Sequence, residues 1–223
     1  MKIQAVLFDM DGLMVDTERQ SDEGWVWACR EQNTQMPVWL MNNFKGAPRE
    51  PCIRMFDDYF RGRIEYWHTR ELKNRYVAML QKKEGIPVKP GLFTLLTFLQ
   101  QKKIPAVVAT STEHATAERI LRQVGAWEYL SGVVFGDQVA NGKPAPDIFL
   151  LAAKKGGASP TSCIVLEDSI NGIKAGAAAG CAVIHVPDTI QISPEVRALT
   201  KAVVPSLSVV PDLIQQWENG KES

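Results

Sequence analysis

Two aspartates stand one residue apart directly after an apolar run near the start of the chain. The stretch IQAVLFDMDG carries Asp9 and Asp11, and Gly12 follows them. Side chains two residues apart on an extended chain point to the same side, so both carboxylates can face one ligand. Such a pair suits nucleophilic or acid/base chemistry, or a hard cation. A plain turn after a strand is the alternative. An EF-hand is excluded, because the glycine holds the fourth loop position instead of the sixth.

Three further polar groups follow apolar, strand-like runs. They are Thr110, Ser111 and Thr112 after PAVVAT, Lys143 within GDQVANGKPAPD, and Glu167 with Asp168 at the end of CIVLE. Taken alone, the hydroxyls could be ordinary strand-end groups, and the acidic pair could be one that a helix dipole favours. The lysine does not belong to a phosphate-binding Walker loop, since Pro144 stands where that motif needs Ser or Thr.

Short apolar runs alternate with amphipathic segments from about residue 88 onward. This alternation predicts an α/β fold, a Rossmann-like parallel sheet with helices on both faces. The candidate strands are AVLF, PAVVAT, GVVF, CIVLE, AVIHV and KAVV. Two sets of apolar residues recur at helical spacing: Leu92, Leu95, Leu96 and Leu99, and Ala117, Ile120, Leu121 and Val124.

Residues 18–84 differ in character from the rest of the chain. They contain no convincing β-branched run, and a long charged and aromatic stretch extends from Phe56 to Lys83. We therefore predict an inserted helical domain over residues 17–85 and a core domain formed by residues 1–16 and 86–223. The segment EGIPVKPG, with two prolines and two glycines, is typical of the second boundary.

The four polar groups should meet, because ligands of an open parallel sheet bind beyond the carboxyl ends of its strands. Carboxylates, a lysine and hydroxyls together suit phosphoryl transfer assisted by Mg²⁺, which prefers oxygen ligands. Asp9 can attack phosphorus to give an aspartyl-phosphate. Asp11 can protonate the leaving oxygen and later take a proton from the incoming nucleophile.

The composition favours a small-molecule partner. Lys plus Arg and Asp plus Glu number 25 each, so no overall charge favours nucleic acid or an anionic membrane. The four cysteines form no metal or redox motif, and buried free thiols are expected. Neither a membrane-spanning stretch nor a signal peptide is present in the sequence, so we expect a cytoplasmic protein without membrane contact. Nothing requires more than a monomer.

Four segments in order, DMDGLMVDTE, VVATST, GKPAPDIF and VLEDSINGIKAG, resemble the motifs of the haloacid dehalogenase superfamily. The resemblance is to the branch around β-phosphoglucomutase and its sugar-phosphate phosphatase relatives, and it covers essentially the whole chain. It implies that the helical insertion is a cap domain. It also implies that Asp9 is the nucleophile and a Mg²⁺ ligand, that Asp11 is the acid/base with its backbone carbonyl on the metal, and that Glu167 and Asp168 hold the ion.

The resemblance assigns the remaining site residues as phosphate contacts. Thr110 and the amide of Ser111 are expected to bind the transferring phosphoryl group, and Lys143 to neutralise it. Further contacts to a phosphate that is not transferred are implied for Lys45, Gly46 and Arg49 in FKGAPRE, and for Thr112 and His114. For the cap residues the alternative is a helix start with solvated basic side chains, and for His114 it is a polar residue in a first helical turn.

The expected function is a Mg²⁺-dependent phosphatase of small phosphorylated metabolites, sugar phosphates foremost. A phosphosugar mutase is the nearest alternative. Asp16 and Thr17 match the mutase pattern, but Ser21 stands where β-phosphoglucomutases have a histidine, and Lys73 only approximately matches their cap lysine. A catalytically silent binding module is less expected because the motif residues are intact, and a dehalogenase would dispense with the second aspartate.

Overall fold

The structure is a computed structural model that describes residues 2–44, 49–188 and 191–220. The predicted phosphate contacts Lys45 and Gly46 lie outside the described residues. The chain divides into two compact units. The core unit comprises Met1–Val15 and Val88–Ser223, and the helical unit comprises Asp16–Pro87.

The core unit is built on a parallel sheet, in which the described residues form six strands. The strands are β1 (Ala5–Phe8), β2 (Ala106–Ala109), β3 (Gly132–Val134), β4 (Cys163–Glu167), β5 (Ala182–His185) and β6 (Ala202–Val203). Their spatial order is β3-β2-β1-β4-β5-β6, and every pairing is parallel. The order reverses at β1, which lies between β2 and β4. This arrangement confirms the predicted Rossmann-like α/β fold.

Ten α-helices occur in the described part of the chain. They are α1 (Thr17–Glu31), α2 (Val38–Phe44), α3 (Arg49–Phe60), α4 (Tyr66–Glu84), α5 (Leu92–Lys102), α6 (His114–Gln123), α7 (Asp147–Lys155), α8 (Ile170–Ala178), α9 (Pro194–Arg197) and α10 (Val210–Glu218). The first four belong to the helical unit and the others to the core unit. Among the described helices, none is long and apolar enough to cross a membrane.

The centre of the sheet is fully buried, which explains the continuous apolar runs of β1, β2 and β4. Ile148 and Phe149 of α7 pack in the same core cluster as strand residues. Close packing also explains the small residues of α8: a Cβ on Gly176 would lie 3.0 Å from the side chains of Val165 and Val183.

The helical unit has its own aromatic core. Trp25 of α1 lies 6.1 Å from Phe56 of α3 and 5.8 Å from Tyr66 of α4, measured between ring centroids. Polar contacts add to this packing: the amide of Gln32 donates to the hydroxyl of Thr69 at 2.9 Å. The predicted helical character of this insertion is confirmed.

Candidate active site

Asp9 occupies the position in the sheet where strand order reverses. It follows β1 directly, and its backbone N–H still donates to the carbonyl of Leu166 in β4 at 3.1 Å. Asp9 is 8 % exposed to solvent. The sheet therefore carries this carboxylate to the edge where ligands of parallel sheets bind.

Lys143 joins Asp9 to Glu167. Its ammonium donates to Oδ1 of Asp9 and, at 2.7 Å, to Oε1 of Glu167. The ammonium also lies 4.9 Å from the ring centroid of Phe149, a buried residue of α7. The lysine side chain is 6 % exposed. One buried ammonium thus forms ion pairs with two carboxylates at the ends of neighbouring strands.

Glu167 is engaged through both of its oxygens. While Oε1 accepts from Lys143, Oε2 accepts from the N–H of Ser169 at 2.9 Å and from its hydroxyl at 3.0 Å. The same hydroxyl caps α8 by accepting from the N–H of Gly172 at 3.0 Å. In this arrangement Glu167 orients Lys143, and its implied role as a metal ligand stays a prediction.

A site role for Ser169 was not predicted from the sequence. Its place immediately before a helical pattern is the signal that could have identified it, because serine is a preferred N-cap residue. The contact between Ser169 and Glu167 could not be predicted in this way, because it depends on the backbone conformation at the end of β4.

Burial and charge act in opposite directions on this cluster. Burial raises the pKa of Asp9 from 3.8 to about 7, Lys143 opposes this shift, and Glu167 and Asp11 add to it. For Lys143, burial lowers the pKa, but the carboxylates of Asp9 and Glu167 more than offset that effect and hold the pKa above its ordinary value. The lysine therefore stays protonated, while Asp9 is easily neutralised without a further cation.

Asp11 is linked to the end of β2. The hydroxyl of Thr112 donates to Oδ2 of Asp11 at 2.7 Å. The N–H of Thr112 donates to the hydroxyl of Thr110 at 3.0 Å, and Thr110 is 1 % exposed. The structure thus brings the first two motifs together, as their strand-end positions predicted.

Asp168 lies against the turn that follows Asp11. Gly12 has a φ of 85°, and a Cβ at this glycine would lie 2.3 Å from Oδ2 of Asp168. Only glycine fits here, since both the backbone angle and the close approach exclude a side chain. The turn and Asp168 are therefore in direct contact.

Asp9, Asp11 and Asp168 fit a magnesium ion by the chemistry of their oxygen atoms. The carboxylates of Asp9 and Asp168 and the backbone carbonyl of Asp11 are hard oxygen donors at one edge of the sheet. Among the described residues, no three His, Cys, Asp or Glu side chains are grouped as a ready metal cage. Mg²⁺ does not require one, because it is commonly held by one or two carboxylates, water and substrate phosphate.

The other predicted substrate contacts among the described residues are Ser111, His114 and Arg49. Ser111 is exposed on the loop after β2. His114 begins α6, where Nε2 contacts Glu118 at 3.0 Å and the ring stacks on Phe135 with centroids 4.2 Å apart. Arg49 belongs to the helical unit and lies 5.8 Å from the ring centroid of Trp67. Their implied substrate contacts stay predictions.

Comparisons with known proteins identify the family of this chain. The family model of haloacid dehalogenase-like hydrolases matches residues 3–180. The chain is 32% identical to a phosphorylated carbohydrates phosphatase of Thermotoga maritima, over 80% of this chain and 82% of that protein. It is 31% identical to the fructose-1-phosphate phosphatase YqaB of Escherichia coli, over 81% of this chain and 95% of that protein.

A solved structure shows the same fold over nearly the full length. A candidate beta-phosphoglucomutase from Thermotoga maritima superposes with a TM-score of 0.80 at 25% identity, covering 96% of this chain and 99% of the other. Fold and site together define an α/β protein with clustered carboxylates at the ends of the strands of a parallel sheet. The chain belongs to the haloacid dehalogenase-like hydrolase family. The predicted superfamily is confirmed, and so is the prediction of an enzyme.

Proposed function

We propose that this enzyme is a Mg²⁺-dependent phosphatase of small phosphorylated metabolites that works through an aspartyl-phosphate on Asp9. The observation that carries the proposal is the contact of Asp9 with the buried ammonium of Lys143, which Glu167 orients. A fixed cation beside a carboxylate lowers the electrostatic cost of bringing a phosphoryl anion to it. A structural ion pair would not need its carboxylate at the ligand-binding edge of the sheet.

In the proposed reaction the two aspartates have separate roles. A carboxylate oxygen of Asp9 attacks phosphorus, the bond from phosphorus to the ester oxygen breaks, and Asp11 gives its proton to the departing alkoxide. Water then attacks the phosphoryl group, the bond between phosphorus and the Asp9 oxygen breaks, and Asp11 accepts a proton of that water. Inorganic phosphate leaves, and both aspartates return to their starting states.

Mg²⁺ would be held by the carboxylates of Asp9 and Asp168 and by the carbonyl of Asp11. When bound, the ion would neutralise charge on the phosphoryl oxygens. Thr110 and the amide of Ser111 would donate hydrogen bonds to the same oxygens, and Lys143 would balance the charge that develops on them.

The substrate class is supported by the relatives. Those compared above are named as a phosphorylated carbohydrates phosphatase and a fructose-1-phosphate phosphatase. We place phosphorylated sugars first for this chain, with the helical unit supplying specificity and Arg49 a contact to the substrate. A cytoplasmic location and a monomeric state stay predictions from the sequence.

The decisive experiment combines a substrate panel with a chemical trap. Phosphorylated sugars, polyols and nucleotides are offered with Mg²⁺, and released phosphate and isomerised sugar phosphate are measured separately. Acid quenching during turnover, followed by peptide mass analysis, should place a phosphoryl adduct on the peptide that contains Asp9.

Asp9→Asn is the matched control, because it keeps the side-chain shape but removes the nucleophilic carboxylate. It should abolish both turnover and the adduct while the protein stays folded by circular dichroism. Substantial phosphate release by Asp9→Asn, or full activity in excess chelator, would contradict the proposal. Fast isomerisation with little free phosphate would instead identify a phosphosugar mutase, the alternative supported by the structural likeness to a candidate beta-phosphoglucomutase.

A further inference from the structure

Thr112 makes a contact that its implied role does not explain. The family resemblance implies that it binds a distal phosphate of the substrate. In the structure its hydroxyl donates instead to Oδ2 of Asp11 at 2.7 Å. Its N–H donates to the hydroxyl of Thr110 at 3.0 Å. One residue therefore connects the loop after β1 with the loop after β2.

The backbone around Thr112 is also held by the segment that follows β3. The N–H of Gly136 lies 3.4 Å from the carbonyl oxygen of Thr112. A Cβ on Gly136 would come within 2.4 Å of the carbonyl oxygen of Ser111, so the two loops are packed without room for a side chain. Because the backbone is fixed in this way, the hydroxyl of Thr112 is delivered to a defined position beside Asp11.

An aspartate that transfers protons needs such a restraint. The terminal torsion of an aspartate side chain has broad minima, so the carboxylate plane is poorly defined by its own rotamer. General acid catalysis requires the proton to be aimed at the leaving oxygen within hydrogen-bond reach. A 2.7 Å hydrogen bond to one carboxylate oxygen restricts the rotation of this plane.

We propose that Thr112 is the positioning residue of Asp11, holding its carboxylate for proton transfer to the leaving oxygen and from water. This inference rests on the proposed phosphatase function. It predicts that the hydroxyl of Thr112 matters for the rate of proton transfer and little for substrate affinity.

The test uses the full chain with three substitutions. Thr112→Val keeps the branched shape and removes the hydroxyl, Thr112→Ala removes both, and Thr112→Ser restores a hydroxyl. With the best sugar phosphate of the panel, Thr112→Val and Thr112→Ala should lower kcat about tenfold or more and leave KM within about twofold, since general acid/base catalysis contributes about 10²–10⁴-fold. Thr112→Ser should recover most of kcat.

The dependence on the leaving group separates positioning from binding. A sugar alkoxide needs a proton to depart, whereas p-nitrophenolate departs without one. With p-nitrophenyl phosphate, the rapid burst of nitrophenolate should keep its wild-type rate in Thr112→Val, although steady turnover slows because water activation also uses Asp11. Thermal unfolding of each variant checks that the fold is retained. If Thr112→Val is unstable, the same measurements are made on Thr112→Ala.

Three outcomes would overturn the inference. A raised KM with unchanged kcat would assign Thr112 to the substrate phosphate. If Thr112→Val lowered the nitrophenolate burst rate and the sugar-phosphate kcat by the same factor, Thr112 would act on the phosphoryl group and not through Asp11. Wild-type behaviour of Thr112→Val in an active enzyme would show that Asp11 is held by other contacts. If the wild-type enzyme releases phosphate from no substrate, the proposed function fails first and the inference falls with it.

Discussion

The ammonium of Lys143 lies 2.7 Å from Oε1 of Glu167 and donates at the same time to Asp9. The glutamate side chain is fully buried, and its oxygens accept hydrogen bonds from this lysine and from Ser169. Two carboxylates and one ammonium leave the cluster with an excess of negative charge. When Asp9 is ionised, this excess favours the binding of a further cation, which agrees with the proposed Mg²⁺ dependence.

The first prediction concerns Lys143. Lys143→Met should lower kcat by about 10²–10³-fold, because it removes a fixed positive charge from a buried site where charge develops during the reaction. Steady-state kinetics with the best sugar phosphate measures this loss. Lys143→Arg is the control that keeps the charge and changes its geometry, and it should retain more activity than the methionine variant. Equal activity of Lys143→Met and wild type would contradict the assigned role.

The second prediction concerns the close approach of α8 to the site. A Cβ on Gly172 would lie 1.6 Å from Oε1 of Glu167, the oxygen that accepts from Lys143. Gly172→Ala should displace this carboxylate, lower the free energy of unfolding by about 1–3 kcal/mol, and reduce kcat through Lys143.

Gly142 offers a matched control for this substitution. Nothing lies within 4 Å of a Cβ built there, although it precedes Lys143 directly in sequence. Gly142→Ala should stay within about 0.5 kcal/mol of the wild-type free energy of unfolding. Urea unfolding and kinetics on both variants give the comparison. If Gly172→Ala changed neither the free energy of unfolding nor kcat, the contact between Glu167 and Lys143 would matter for neither stability nor activity.

The location of the site could be predicted from the sequence because parallel strands impose it. Asp9 and Thr110 each follow an apolar run, and such runs end at the same edge of a parallel sheet. Lys143 was expected at that edge for the same reason, and the structure confirms that it reaches Asp9. The turn at Gly12 was equally predictable, since a sharp reversal after a strand favours glycine.

The pairing of individual side chains could not be predicted in the same way. Whether the hydroxyl of Thr112 meets a substrate or Asp11 depends on a loop backbone that Gly136 of another segment holds in place. The ring of His114 stacks on Phe135, which follows β3, so this contact also joins residues that are far apart in the sequence. Such contacts are decided by tertiary packing.

The third prediction is a competition between protons and Mg²⁺ at Asp9. Burial raises the pKa of this carboxyl to about 7 in the absence of metal, and only the ionised form can bind the cation. The apparent Kd for Mg²⁺ should therefore rise as pH falls below about 7, approaching about tenfold per pH unit if one proton is displaced. Isothermal titration calorimetry with MgCl₂ from about pH 5.5 to 8 measures it.

The sign of the stability effect provides a control without metal. A folded-state pKa above the unfolded value means that stability from protonated Asp9 is fully present below about pH 3.8 and is lost as pH rises through about 7. In excess EDTA the wild-type protein should thus lose stability relative to Asp9→Asn between about pH 5.5 and 8. A difference that is independent of pH would show that Asp9 does not titrate in this range.

The fourth prediction is that water, and not a second sugar hydroxyl, accepts the phosphoryl group from Asp9. A mutase must protect its aspartyl-phosphate from hydrolysis while a bisphosphate intermediate forms, which requires acid/base chemistry that is productive only with sugar bound. The resemblance to β-phosphoglucomutases implies a histidine on the first cap helix and a lysine on the fourth. In this chain Ser21 of α1 carries no imidazole.

The approximate match to the cap lysine is engaged in the helical unit itself. The Nζ of Lys73 lies 5.9 Å from the ring centroid of Trp25, and its Cγ would be 3.1 Å from a Cβ on Gly24. Its stem therefore packs along α1, which supports a structural role for this lysine. The deciding assay offers β-glucose 1-phosphate with a trace of the 1,6-bisphosphate and follows glucose 6-phosphate and free phosphate in parallel. We expect free phosphate to account for nearly all of any turnover, whereas rapid formation of glucose 6-phosphate with little free phosphate would establish the mutase instead.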